Sequence, residues 1–474
     1  MSFRIATRTG APSPDSTTTR SSRKKRFLFR VVLPIASVGA LVAAVLLANV
    51  ATRAATPKAA SLEPSGFSTP LSTASCQSKF KVLCYTPTQL QAAYNLPALF
   101  SGAATGHPIT GAGETIVIAE PYGSPTIGHD LRVFDAKFKL ANPTLTIDRF
   151  GKLPRYNPNN VLMAGWAQEA TLAVEYAHVF APGAKIVLIE TAANATVGVA
   201  GIPQLMTAQE SLINKGIGDV FLETITMGEA TYPGFSSGNY SSLLNLRYAF
   251  QDAYTHHDTV IAPSGDSGVT ETASMAPPYP LFKSKVATWP ASDPLVTGVG
   301  GTALNLNPSG GRLSPDVTWH DEYGASGGGP SVVFSRPQYQ NAVAGVVGDH
   351  RGTPDISLSA APGCWGYYSF AGGSGPGWHI FAGSTESAPM MAGIVALADE
   401  VAGHPLGLIN PALYKLGELQ QAGSQGTGIV SVTSGNNSFG GVTGYKAGPG
   451  YNLATGWGTI DAATFVPALA RAAS

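Results

Sequence analysis

The chain has 474 residues, enough for one large α/β domain or two modest ones, and balances 29 basic against 29 acidic residues for a formal net charge of zero. Charged residues make up 12% of it while glycine and proline number 55 and 35, a composition that calls for many tight turns under a lightly charged surface. No basic block lies beyond the N-terminus, which excludes nucleic acid as a partner on electrostatic grounds.

In chain order, the first feature is a targeting pattern. "RSSRKKR", ending at Arg26, precedes an uncharged stretch, 31–50, of about twenty residues, the length a helix needs to cross a bilayer. Residues 1–30 read as a basic cytoplasmic tail or signal n-region. Residues 31–51 read as a transmembrane signal anchor or a signal peptide, and 52–75 as a disordered linker rich in Ser, Thr, Pro and Ala. Both readings place 76–474 outside the membrane as one domain. In an oxidising compartment Cys76 and Cys84 can close a small loop with Cys364 left unpaired; the other reading is three free thiols.

From Cys76 onward the segments alternate in the α/β manner. "ETIVIAEP" is a buried strand ending in a turn, and "TIGHDLRVFDAKF" a helix. "AKIVLIET", "VFLETITM", "DTVIAPSG" and "LVTGVGGT" are further β-branched runs stopped by Gly, Pro or Ser. Between them lie the helical stretches "GWAQEATLAVEYAHVF" and "SSLLNLRYAFQDAYTHH". Together they predict a mostly parallel sheet with helices on both faces and functional groups at the strand ends. After Thr302 the texture turns to Gly-rich loops and short strands, until "SAPMMAGIVALADEVAG" returns as a deeply buried helix.

The stretch "FAGSTESAPMMAG", Phe381 to Gly393, sets small residues and a hydroxyl ahead of that helix, where free N–H groups can hold a developing oxyanion. It resembles the "GTSxxxP" nucleophile turn shared by subtilisin-like and sedolisin-like (serine-carboxyl) peptidases. By that match the nucleophile position is Thr385, preceded by Ser384. None of the nine histidines sits in a subtilisin's "HGTH" context. "EATLAVEYAHVFAPGA" instead is similar to the sedolisin helix that carries a glutamate base and, four residues later on the same face, an aspartate. Glu169 matches the base, and the aspartate position is Ala173. "APSGDSG" matches the turn whose aspartate serves the oxyanion hole, here Asp266. "CYTPTQLQAAYNLP", "WPASDPLVTGVGGT", "GGGPSVVFSRPQYQ", "RGTPDIS" and "AGPGYNLATGWG" extend the resemblance through the domain.

The resemblance implies a subtilisin-like three-layer α/β domain and a serine-type peptidase, endopeptidase or tripeptidyl peptidase, that acts on extracytoplasmic polypeptides in acid. An unshifted glutamate titrating near about 4.3 suits that range. It also implies one calcium ion held by two aspartates and backbone carbonyls. The matching positions here are Ser431, Val432, Gly448, Gly450 and Asn452, with both carboxylates lost, so calcium binding is doubtful. The family's long folded propeptide has no counterpart before Cys76. Internal Thr385 has no N-terminal amine to serve as its base, and Ala173 cannot orient Glu169. Such losses cost about four to six orders of magnitude in turnover on other folds. The implied function is therefore an impaired sedolisin-type peptidase. The alternative is a pseudopeptidase, a monomer that binds extended peptide as a regulatory or decoy module. A cell-wall structural role leaves Glu169 and Asp266 without a reason to occur together.

Other residues carry blander readings. Ser384 and Ser387 offer neighbouring hydroxyls. Glu386 suits a helix N-terminus and His256 and His257 a helix C-terminus. Glu175 and His178 read as surface or packing residues, and Glu120 ends the first strand near the expected cleft.

Overall fold

The computed structural model describes residues 66–474 except 193, 196, 197, 275–278, 362 and 474. The tail, the apolar stretch 31–51 and the linker up to residue 65 lie outside the described residues. Among the described residues no helix is long and apolar enough to cross a membrane.

The elements that position the site run α1 (Thr73–Phe80), β1 (Thr115–Pro121), α2 (Ile127–Phe138), β2 (Leu145–Phe150), α3 (Val161–Phe180), β3 (Lys185–Thr191) and α4 (Ile202–Ile213). They continue with β4 (Val220–Glu223), α5 (Tyr248–His256), β5 (Thr259–Pro263), β6 (Thr297–Ala303), β7 (Val317–Thr318) and β8 (Ile356–Ala361). The hairpin β9 (Cys364–Tyr368) and β10 (Gly377–Phe381) then leads into α6 (Ser384–Ala402), α7 (Asn410–Gln421) and α8 (Ala462–Ala473).

The main sheet is ordered β8-β6-β5-β4-β1-β3-β2, every neighbouring pair parallel, with β7 added antiparallel to β6. From β1 the chain builds outward through β2 and β3, then crosses to the other side through β4. The crevice at the carboxyl ends beside β1 is therefore the topological switch point, where α/β sheets place their ligands. β1 shows why its run is almost continuously apolar. Ile116 and Ile118 face a core shared with α3 and α6, while Val117 and Ala119 face a second core shared with α4 and α5. A parallel strand covered on both faces has no polar side to show.

α3 is buried from Met163 to Phe180, and its start is fixed by Asn160, whose side-chain oxygen accepts from the N–H groups of Leu162 and Met163. α3 and α6 cross closely because residue 393 is glycine: a Cβ there would lie 2.6 Å from the Phe180 Cβ. A fully buried ion pair anchors β8, with Arg351 Nη1 2.7 Å from Asp355 Oδ1. Asp355 Oδ2 also accepts the Gly298 N–H at 2.8 Å, which ties β8 to β6 and accounts for the "RGTPDIS" motif.

Three expectations need correction. The stretch "SSLLNLRYAFQDAYTHH" is two helices, Ser241–Leu244 and α5, interrupted at residues 245–247. The run "VFLETITM" supplies β4 and a separate two-residue strand, Met227–Gly228. The linker also ends earlier than residue 75. Phe67 donates to the Trp378 carbonyl at 2.9 Å and accepts from the Trp378 N–H at 2.8 Å, so 66–75 joins the hairpin edge and then enters α1. Cys76 and Cys84 form a disulfide and Cys364 is free and buried, as one of the two cysteine readings expected. A loop this short gains about 2 to 3 kcal/mol from its bridge.

Candidate active site

Three elements converge at the carboxyl end of the sheet: α3 brings Glu169, the turn after β5 brings Asp266, and the first turn of α6 brings Thr385. The hinge between the last two is Gly383, at φ +123°. A Cβ at that position would fall 2.8 Å from Asp266 Oδ2, so only glycine lets the α6 turn close onto the aspartate. Asp266 Oδ1 accepts the Ser384 N–H at 2.7 Å and the Ser384 hydroxyl at 2.8 Å. The Gly265 N–H in turn donates to Ser384 Oγ at 3.1 Å. The aspartate is thus fixed through one oxygen while Oδ2 borders Gly383. Helix α6 begins at Ser384 rather than at Ser387, so the nucleophile position is already helical. Pro389, inside the helix, has no N–H to give to the Thr385 carbonyl.

Glu169 is 4% exposed and Thr385 5%. Burial, then the negative charge of Asp266, push the Glu169 carboxyl from 4.5 up to about 8, with the nearby Thr385 hydroxyl pulling it back. Yet neither Glu169 Oε2 nor Thr385 Oγ1 has a hydrogen-bond partner. The Thr385 hydroxyl thus lies near enough to the Glu169 carboxyl to favour its ionised form, but no hydrogen bond of good geometry joins them. Ala173 is buried one turn further along α3 and offers only a methyl group. Asp266, partly exposed along the cleft but with a desolvated carboxyl, is raised to about 6. The chemistry needs Glu169 ionised and Asp266 protonated; both carboxyls are raised, and because they face one another their protons are shared by the pair.

Neighbouring hydroxyls do not replace Thr385. The Ser384 hydroxyl is spent on Asp266, and the Ser387 hydroxyl donates to the Ser384 carbonyl at 2.8 Å. Two further carboxyls belong to the site's surroundings. Glu120, fully buried at the end of β1, has no partner for either oxygen, and its pKa is raised well above the usual range by burial and then by the Glu169 charge. Its parity places it on the α3 side of the sheet, with Ile116 and Ile118. The sequence reading missed Glu271. It lies five residues beyond Asp266, 2% exposed, with Oε2 3.2 Å from where a Cβ on Gly265 would sit. An acidic residue shortly after the "SGDSG" turn was the only signal for it.

Some bland readings change. Glu386 is fully buried beside Ser359 and Cys364, and burial lifts it to about 8, which favours its neutral form over a charge for the α6 N-terminus. Glu175 and His178 are packing residues with no exposed surface. Glu175 accepts the Tyr367 N–H at 3.2 Å, and His178 Nε2 lies 3.4 Å from Asp135 of α2. His256 does end α5, its Nδ1 2.9 Å from the Asp252 carbonyl, and His257 caps it in the left-handed conformation.

The positions matched to the calcium site do not fit a cation. Asn452 Nδ2 donates to the carbonyls of Gly448 at 3.3 Å and Gly450 at 3.5 Å, the oxygens a metal ion would need. Its Oδ1 accepts the N–H groups of Ala454 and Thr455 and the Thr455 hydroxyl, all within 3.1 Å. The Ser431 hydroxyl accepts from Gln420, and Val432 is buried. Among the described residues no group of three or more His, Cys, Asp or Glu is placed to hold a metal ion.

No protein-family model matches the chain. It is 29% identical over 406 residues to kumamolisin of Bacillus sp. (strain MN-32), a match covering 82% of this chain and 64% of that protein. To sedolisin of Pseudomonas sp. (strain 101) it is 34% identical over 220 residues, 45% of this chain and 35% of that one. It therefore spans under two thirds of the length of these relatives. The fold is similar to the solved structure of Pseudomonas sedolisin, a serine-carboxyl proteinase complexed with two molecules of pseudo-iodotyrostatin. That match has a TM-score of 0.66 at 26% identity and covers 81% of this chain and 97% of that one. With Glu169, Asp266 and the α6 turn gathered at the switch point of such a sheet, the chain is similar to the sedolisin family in sequence, fold and the placing of its site.

Proposed function

We propose that this chain binds extended polypeptide in the cleft at the carboxyl end of the sheet and hydrolyses it slowly or not at all. The observation that carries the reading is the pair of unpartnered atoms at its centre, Glu169 Oε2 and Thr385 Oγ1. The serine is replaced by a threonine, and the position behind the base by Ala173. The family supports polypeptide as the ligand. The Cys76–Cys84 disulfide supports an oxidising, extracytoplasmic setting. In this reading 31–51 delivers the chain across a membrane as an anchor or a cleaved signal, and the domain works as a monomer without calcium, the Asn452 amide holding the loop.

The test is peptide hydrolysis by the purified full chain from about pH 3 to about pH 9, beside Glu169→Ala and a Thr385→Ser/Ala173→Asp double variant. Silence from the native chain, with peptide binding intact and activity in the double variant, is the expected result. Native turnover that disappears in Glu169→Ala would overturn the impairment and make Thr385 a working nucleophile.

A further inference from the structure

Next to the nucleophile turn lies a cavity of about 580 Å³. The end of α1 and the disulfide loop line it with Phe80, Val82 and Leu83 and, among polar groups, Gln77 and Lys81; Trp319 and Tyr323 line it from a second loop, and Ala382 completes it. Its size falls in the range of about 300 to 1,000 Å³ typical of binding pockets. Three observations connect it to the site. Ala382 directly precedes Gly383, the residue that borders Asp266 Oδ2. The loop that carries Trp319 and Tyr323 ends on Asp266 itself, whose carbonyl accepts the Ala325 N–H at 2.9 Å. A Cβ on Gly324 would lie 2.8 Å from that same carbonyl oxygen.

The walls are fixed before any ligand arrives. The disulfide clamps one. In the other, Asp321 accepts the Trp319 indole N–H at 3.0 Å, the Tyr323 N–H at 2.8 Å and the Gly324 N–H at 3.0 Å. A pocket of aliphatic and aromatic side chains with settled polar groups loses little entropy on binding, and it rewards apolar surface over charge. Of the exposed charges at its rim, the carboxylates of Asp321 and Glu322 outnumber the single ammonium of Lys81, so the balance leans against an acidic guest.

We propose that this cavity is a specificity subsite that receives an apolar, above all aromatic, side chain of the polypeptide in the cleft, one or two residues from the bond at Thr385. The inference rests on the peptide-binding reading and adds to it which side chain is chosen and where. Half-exposed Val82 and Tyr323 then determine specificity without touching the reacting atoms.

The experiment is fluorescence anisotropy of the full chain with dye-labelled octapeptide pools, one position at a time fixed as Phe, Leu, Gly, Lys or Asp. It is repeated with Val82→Lys and, as an independent lesion, Tyr323→Ser. One peptide position should select Phe or Leu over Asp by about tenfold or more, and both variants should reduce that ratio to about threefold or less. Affinity for the Gly pool at that position should not change. If pools bind but neither variant alters the selection, the cavity is not a subsite and the peptide-binding reading stands. If no pool binds the native chain, the peptide-binding reading falls and takes the subsite with it.

Discussion

The nucleophile turn and the loop over 448–456 have both lost residues that the family resemblance leads one to expect, and they have settled differently. In the loop, the amide of Asn452 donates to two carbonyls and its oxygen accepts three hydrogen bonds. Neutral hydrogen bonds occupy the positions matched to a cation site. At the turn Ala173 offers only a methyl group to the core, and the buried oxygens of Glu120, one of Glu169 and the Thr385 hydroxyl lack a hydrogen bond of good geometry. Each such group costs about 1 to 3 kcal/mol. The turn therefore keeps polar groups that its own chain leaves unsatisfied, whereas the loop has closed on itself.

Reverting the turn should have the largest effect. Because nucleophile, base and orienter act as a unit, Thr385→Ser alone and Ala173→Asp alone should each recover little. Together they should raise kcat/KM for peptide hydrolysis by at least about a thousandfold. Additive recovery from the two single changes would mean the site is less broken than its geometry implies.

The loop is sharpened by stability instead. Asn452→Ala removes five hydrogen bonds and should lower unfolding free energy by about 2 to 3 kcal/mol in urea titrations, without altering peptide affinity. A chelator should leave the Tm of the native chain unchanged. The Ser431→Asp/Asn452→Asp double variant should acquire a calcium-dependent gain of about 1 to 3 kcal/mol. A native Tm that falls in chelator would show that the amide has not replaced the ion.

The smallest effect concerns pH. Glu169, Glu223 and Glu386 are all raised from 4.5 to about 8, mainly by burial. Their folded forms hold protons that the unfolded chain releases near pH 4.5. Their contribution is complete below that value and is lost as pH rises towards 8. Unfolding free energy should therefore decline between about pH 5 and pH 8, and Glu169→Gln should flatten the slope by up to about 1 kcal/mol per pH unit. A slope unchanged by Glu169→Gln would place the proton elsewhere.

Much of this architecture could be read from the chain. The β-branched runs mark the strands because both faces of a parallel sheet are covered, and Glu169, Asp266 and Thr385 sit in local motifs whose turns survive intact. Glu120 and Glu271 were harder: strand order and turn packing, not spacing, bring them to the site. Glu386 looks from its position like a solvent-facing charge, because only the packing of β8 and β9 around it shows that it is covered. The Asn452 amide was similarly out of reach, since sequence gives its residue type but not where its side chain points.

The backbone pairing of Phe67 with Trp378 also sets a limit on how the N-terminus can be trimmed. A cut ahead of Gly66 leaves the pairing intact. A cut between Phe67 and Cys76 would bare one side of β10, a free strand edge ready to recruit an extended segment from another molecule. Proteolytic processing in that ten-residue window would thus convert a well-behaved domain into one prone to self-association, two residues' breadth from the nucleophile turn.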